Sequence, residues 1–259
     1  MNTTQTLNTN INITEAKDRS RGYWIDYTLI GGLVFPIIIG IALFAPIALF
    51  GTNWFDLNNF MIIVTVVPML MAAALLFSRY KEYILRDENV KLFSKEWMLG
   101  LVKWGAFFIT MYLIGSFTVE TLVKVFASDA VVVESANDAM IKEMMVASPV
   151  IMTLYTAIIG PVVEELGFRA SLYEMIPNKK VAITVTTLTF ASAHFLSVLL
   201  DYMLYGVVNV VALCYLPAYI ALAFALTYIY HKTHKLSYTI TLHIINNTIS
   251  VILMLISLF

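Results

Sequence analysis

Long apolar segments constrain the fold of this chain more than any other feature of its sequence. We place seven of them, at 27–50, 60–77, 97–126, 146–175, 181–200, 207–230 and 238–258. A helix needs about 20 apolar residues to cross a bilayer. The chain is 60% hydrophobic and 13% charged, whereas a soluble domain is about 45–50% apolar and about 25% charged. The sequence therefore predicts an all-α, polytopic transmembrane helical bundle of about seven spans.

The start of the apolar region divides the chain into two predicted parts. Residues 1–26 are polar and rich in Asn and Thr, which predicts a flexible cytoplasmic tail. Residues 27–259 are predicted to form a single transmembrane domain, whose first segment is too long for the core of a signal peptide and is expected to remain as an anchor. Charged and apolar residues alternate at helical spacing near 81–96, which predicts a helix in the membrane interface.

Positive charge is distributed unequally along this threading. Twelve lysines and arginines fall in the tail and in loops on one side, against Lys124 and Lys142 on the other. Because cytoplasmic loops carry the positive excess, we expect a multi-pass protein of a bacterial plasma membrane, with its N-terminus cytoplasmic and its C-terminus outside. The net charge of −1 gives no reason to expect a nucleic-acid partner.

The second half of the chain carries polar side chains inside segments otherwise fit for lipid. They are Glu164, Glu165, Arg169, His194, His243 and Asn247. A charged side chain at membrane depth costs roughly 2.5–3.5 kcal/mol on insertion scales, so such groups face one another or a wet cavity. This set is the candidate functional site.

Helical spacing separates the two adjacent acids. Glu165 and Arg169 are four residues apart in the order that favours an ion pair, while Glu164 is rotated from them by about 100°. Pro161 is expected to kink the helix and expose a carbonyl near Ala157, which would admit water. The alternative is that both acids merely cap the cytoplasmic end of this helix.

The remaining polar residues have structural and chemical interpretations. Taken alone, His194 is typical of a hydrogen-bonded packing residue. Taken alone, His243 and Asn247 are typical of a polar contact between two helices. Together they suit peptide hydrolysis, with Glu164 as general base, His194 holding the water, and His243 and Asn247 donating to the oxyanion. Glu164, His194 and His243 also suit a catalytic zinc ion, and the residues alone leave that choice open although no H-E-x-x-H motif is present.

Three motifs in this order resemble the CAAX protease and bacteriocin-processing family of intramembrane proteases, also called the Abi family. They are Glu164-Glu165-Leu-Gly-Phe-Arg169, Phe190-Ala-Ser-Ala-His194 and His243-Ile-Ile-Asn-Asn247. The resemblance covers about 145–258, and it departs from many bacterial relatives at Ala170, where they have glycine.

The resemblance implies a role for each motif residue. It implies that Glu164 and His194 activate water and that His243 and Asn247 bind the oxyanion, with Glu165, Arg169 and Phe190 as supports. It also implies an intramembrane endopeptidase for membrane-associated peptides or proteins, with no required cofactor and zinc as the alternative.

We predict that the cavity of this enzyme opens toward the cytoplasm. A non-catalytic membrane binding or bacteriocin-immunity protein that retains the fold is the second hypothesis. A proton-coupled transporter is disfavoured because the sequence shows no internal repeat.

Overall fold

The computed structural model describes residues 91–130 and 134–258, together with scattered residues between 21 and 82. Every regular element in this part of the chain is helical, which confirms the all-α prediction. Most of the predicted tail, the first predicted span, most of the second span and residues 83–90 of the predicted interfacial helix lie outside the described residues.

Seven helices follow one another between residues 95 and 258 of the described chain. They are α1 (Lys95–Phe126), α2 (Ala136–Ala147), α3 (Pro149–Tyr173), α4 (Lys179–Ala193), α5 (Leu196–Tyr205), α6 (Val210–Thr233, with a break at Tyr215) and α7 (Leu236–Leu258). Four of them, α1, α3, α6 and α7, are long and apolar enough to cross a membrane. Their bounds lie within a few residues of the predicted spans, whereas α2 was expected to be part of a loop.

The predicted span at 181–200 is not one continuous helix. α4 ends at Ala193 and α5 starts at Leu196. The main-chain N–H of His194 donates to the Ala191 carbonyl, at 3.2 Å. Its ring nitrogen Nδ1 forms a hydrogen bond with the Phe190 carbonyl, at 3.0 Å. Because that carbonyl would otherwise accept the next helical hydrogen bond, the side chain of His194 ends the helix. The segment is therefore two helices with a break at His194 and Phe195, rather than one continuous helix.

Helix α6 lies at the centre of the described bundle and packs on α1, α4 and α7. α1 and α6 are antiparallel and approach closely at Gly115, where an added Cβ atom would come within 3.0 Å of the Ala218 Cα atom. Large apolar side chains on the outside of α1 are exposed, among them Val102 and Phe117. Exposed apolar side chains on a long helix suit a lipid environment.

Candidate active site

Helix α3 widens into a π-helical turn over Tyr155–Ile159, one turn before the two acids. Gly160 donates its N–H to the Tyr155 carbonyl, five residues back. If the same five-residue spacing continued, residue 161 would donate its N–H to the Thr156 carbonyl. Pro161 has no N–H, so this hydrogen bond cannot form. Asn247 of α7 supplies the missing donor, with its Nδ2 3.0 Å from the Thr156 oxygen. The freed carbonyl is thus Thr156, one residue before the predicted position, because a π turn contains one more residue than an α turn.

Glu165 of α3 binds both Arg169 of the same helix and His243 of α7. Arg169 Nη1 and His243 Nδ1 both lie 2.9 Å from Glu165 Oε1. The side chains of Glu165 and Arg169 have no exposed surface. Arg169 also donates from Nη2 to the Ala223 carbonyl of α6, at 3.3 Å, and its guanidinium lies 4.5 Å from the centre of the Phe190 ring. The predicted pairing of Glu165 with Arg169 is present, and it additionally fixes the orientation of His243.

Glu164 lies on the other side of the same imidazole. Its Oε2 atom is 3.6 Å from His243 Nε2, and its side chain is 30% exposed. That Oε2 atom is itself buried and has no hydrogen-bond partner among the described residues. Because Nδ1 of His243 is bound to Glu165, Nε2 is the ring atom that faces Glu164. This carboxylate oxygen is therefore not saturated by hydrogen bonds from the described residues.

His194 approaches the site from the end of α4. A carbonyl only accepts hydrogen bonds, so the 3.0 Å contact with Phe190 places the hydrogen on Nδ1 and leaves Nε2 as an acceptor in the neutral ring. The imidazole stacks on Tyr219 with ring centres 4.9 Å apart. The Phe190 ring lies 4.8 Å from His194 and 5.8 Å from His243. Phe190 thus separates the two imidazoles, and no hydrogen bond joins His194 to Glu164 in the described chain.

The two histidines and Asn247 line a cavity of about 550 Å³ between α1, α2, α6 and α7. Its walls extend to Glu120 and Lys124 near the end of α1 and to Asp138 in the first turn of α2. α1 and α6 are antiparallel, so this is the end of the bundle opposite Lys95 and Lys232. The cavity therefore extends toward the end of the bundle away from the basic loops, and its predicted opening toward the cytoplasm stays a prediction. Glu164 is not among the residues that line this cavity.

Further residues around the cavity were not predicted from the sequence as parts of the site. Tyr219 holds the ring of His194 and donates its hydroxyl to Ser135, at 2.9 Å. Asn246 and Ser250 line the cavity beside Asn247. Their spacing of three and seven residues from His243 is a signal that would have placed them on the same helical face.

The same side chains do not form a metal site. Among the described residues, no three His, Cys, Asp or Glu side chains are arranged to hold a metal ion. Glu164 and His243 are adjacent, but His194 is turned toward Tyr219 and Phe190. The three residues named for zinc therefore do not fit a zinc site in this arrangement.

Comparison with known proteins singles out the segment that builds this site. Residues 146–249 match the model of the type II CAAX prenyl endopeptidase Rce1-like family. Over 101 residues, the chain is 29% identical to the UPF0177 protein YaiH of Lactococcus lactis subsp. lactis (strain IL1403), which covers 39% of this chain and 36% of that protein. The match thus spans about a third of the length of this curated relative. No solved structure matches the chain.

Proposed function

Because residues 146–249 match the model of the type II CAAX prenyl endopeptidase Rce1-like family, we propose that this protein is an intramembrane endopeptidase. Its substrates would be membrane-associated peptides or proteins. The observation that carries the proposal is the unpartnered Glu164 Oε2 atom beside His243 Nε2. A general base needs a free lone pair within reach of the water that it deprotonates.

In the proposed reaction Glu164 takes a proton from water, and the water oxygen attacks the carbonyl carbon of the peptide bond. The resulting oxyanion would accept hydrogen bonds from protonated His243, through Nε2–H, and from Asn247. Collapse of the intermediate breaks the carbon–nitrogen bond, and Glu164 returns the proton to the leaving amine. Asn247 already uses one N–H on Thr156, so its second N–H is the one that would serve the oxyanion.

His194 would hold the attacking water through its Nε2 acceptor. The Phe190 carbonyl and the Tyr219 ring fix the imidazole in this orientation. Fixed orientation of a catalytic group avoids reorganisation during the reaction.

We propose that no zinc ion is required. The arrangement of Glu164, His194 and His243 favours a water activated by a carboxylate over a metal-bound water. The test is cleavage by purified protein before and after a strong chelator. Unchanged cleavage supports the proposal, while inactivation that added zinc reverses would contradict it.

A non-catalytic binding or immunity protein is the second candidate. Its support is that Asn247 and Glu165 both form contacts between helices, so the fold has its own use for these motif residues. Glu164→Gln separates the two functions. This change should abolish peptide cleavage by purified protein in nanodiscs while the melting temperature stays unchanged, whereas a cellular function that survives it would point to binding.

The location of the protein is part of the same proposal. Four long apolar helices support a membrane protein. The charge distribution supports a plasma-membrane orientation with the N-terminus in the cytoplasm. Cysteine labelling from either side of sealed vesicles would test this orientation.

A further inference from the structure

The polar face of α7 continues beyond the candidate active site. His243, Asn246, Asn247 and Ser250 follow one another at helical spacing and all line the cavity. At 1.5 Å per residue these positions span about 10 Å of helix. About three residues of an extended chain cover the same distance.

Two of these side chains have hydrogen-bonding capacity left for a ligand. Asn246 donates one N–H to the Asn247 side-chain oxygen, at 3.2 Å, and its own oxygen has no partner among the described residues. No partner is found for the Ser250 hydroxyl in the same part of the chain. A peptide backbone offers both the donor and the acceptor that such groups need.

Another part of the cavity wall carries a carboxylate that forms no ion pair among the described residues. Asp138 is half-buried in the first turn of α2, and Tyr215 and Tyr219 line the cavity with it. The two lysines of this region are already paired, Lys124 with Glu120 at 2.6 Å and Lys142 with Glu134 at 2.7 Å.

Burial raises the pKa of the Asp138 carboxyl, and the nearby charge of Glu134 adds to the rise. The hydrogen bond from Ser135, the charge of Lys142 and the hydrogen bond from Asn137 only partly oppose it. The ionised carboxylate is therefore incompletely compensated by the protein. A cation brought by a ligand would complete the compensation, and tyrosine rings also attract cations.

We propose that the cavity binds an extended peptide segment along the polar face of α7 and that Asp138 selects a cationic group of that segment. The group is a lysine or arginine side chain or a free N-terminal ammonium. This inference rests on the proposed endopeptidase function and names its substrate class.

Binding to the Glu164→Gln protein tests the inference without catalysis. The probes are short apolar fluorescent peptides in matched forms, with one lysine or with glutamine in its place, and with an acetylated or a free N-terminus. A charge-assisted contact should make the cationic form bind roughly tenfold more tightly. The lysine peptide with an acetylated N-terminus carries only the side-chain charge. The glutamine peptide with a free N-terminus carries only the terminal charge, so the two peptides separate the two sources.

The preference should disappear when Asp138→Asn is added and should persist with Asp138→Glu. Asp129→Asn is the matched control, because it removes the same charge from an exposed loop position outside the cavity. A cationic preference that survives Asp138→Asn, or peptides that bind without regard to charge or not at all, would overturn the inference. If wild-type protein cleaves no peptide but shows the Asp138-dependent preference, the proposed endopeptidase function fails and the cation subsite stands.

Discussion

Asn247 of α7 donates its side-chain amide to the main-chain carbonyl of Thr156 in α3, 3.0 Å away. The carbonyl is free because Pro161 cannot donate to it. This hydrogen bond joins the helix that carries Glu164 to the helix that carries His243.

A double-mutant cycle tests this relationship. Asn247→Ala should lower the free energy of unfolding by about 1–3 kcal/mol, because it leaves the partly buried Thr156 carbonyl without its donor. In a Pro161→Ala background, where residue 161 regains its N–H, the same change should cost less. Unfolding of the four proteins in detergent measures the coupling, and equal costs in both backgrounds would show that Thr156 does not depend on Asn247.

Glu165→Gln should destabilise the protein by about 3–5 kcal/mol, because it strands the fully buried Arg169. Activity should fall as well, since the neutral glutamine oxygen is a weaker acceptor than the carboxylate that orients His243. The exposed pair of Glu120 and Lys124 has the same four-residue spacing. Glu120→Gln is therefore the matched control and should leave the unfolding free energy unchanged within error. Similar losses in the two variants would contradict the assignment.

Tyr219 is expected to position His194 through two separable contacts. Tyr219→Phe keeps the stacked ring and removes the hydrogen bond to Ser135, so it should cost about 1 kcal/mol of stability with a small fall in kcat. Tyr219→Leu also removes the stacking and should lower kcat further. Tyr228→Leu is the control on the same helix, because Tyr228 packs on Phe107 away from the cavity. An equal fall in kcat for this control would show a general packing effect.

Asp138 should give the protein a measurable pH dependence. Burial raises the pKa of its carboxyl above the ordinary aspartate value, so the folded protein binds more protons than the unfolded chain between those two values. Stability therefore falls as pH rises through this window. Asp138→Asn should remove this part of the fall, so that the variant gains stability over wild type above the window and not below it. Unfolding curves over a pH series measure the difference in unfolding free energy between the two proteins. If Asp138→Asn lost stability relative to wild type as pH rises, the prediction would be contradicted.

The close approach of α1 and α6 predicts different effects for two glycine substitutions. Gly115→Ala should cost about 1–3 kcal/mol, because its Cβ atom would press on the Ala218 backbone. Gly105→Ala places its Cβ atom 3.5 Å from Leu242, an ordinary contact. It should be neutral or stabilising, since alanine favours a helix by about 1 kcal/mol over glycine. Equal melting temperatures for the two variants would show that α1 and α6 can move apart at Gly115.

Patterns within one helix were predictable from the sequence. The all-α class and the span bounds follow from runs of apolar residues, and the pairing of Glu165 with Arg169 follows from their spacing. Features that depend on a competing hydrogen bond were not predictable. The end of α4 depends on which carbonyl forms a hydrogen bond with the His194 ring. The carbonyl that Pro161 leaves without a donor depends on the π-helical turn before it.

The direction of the cavity was not predictable for a different reason. It depends on how α2 and the end of α1 pack against α7, and no motif records that packing. The positions of Asn246 and Ser250 were in principle available from their spacing to His243. Their importance becomes apparent only when the part of the cavity wall that carries Asp138 is known.

The Glu165 oxygen shared by Arg169 and His243 affects how such proteins can evolve. A lineage that abandons hydrolysis can replace Glu164, which is partly exposed, without leaving a buried charge uncompensated. It cannot replace Glu165, Arg169 or His243 singly at the same low cost. Among descendants, loss of the first glutamate with retention of the second would distinguish proteins that keep the shape from those that keep the chemistry.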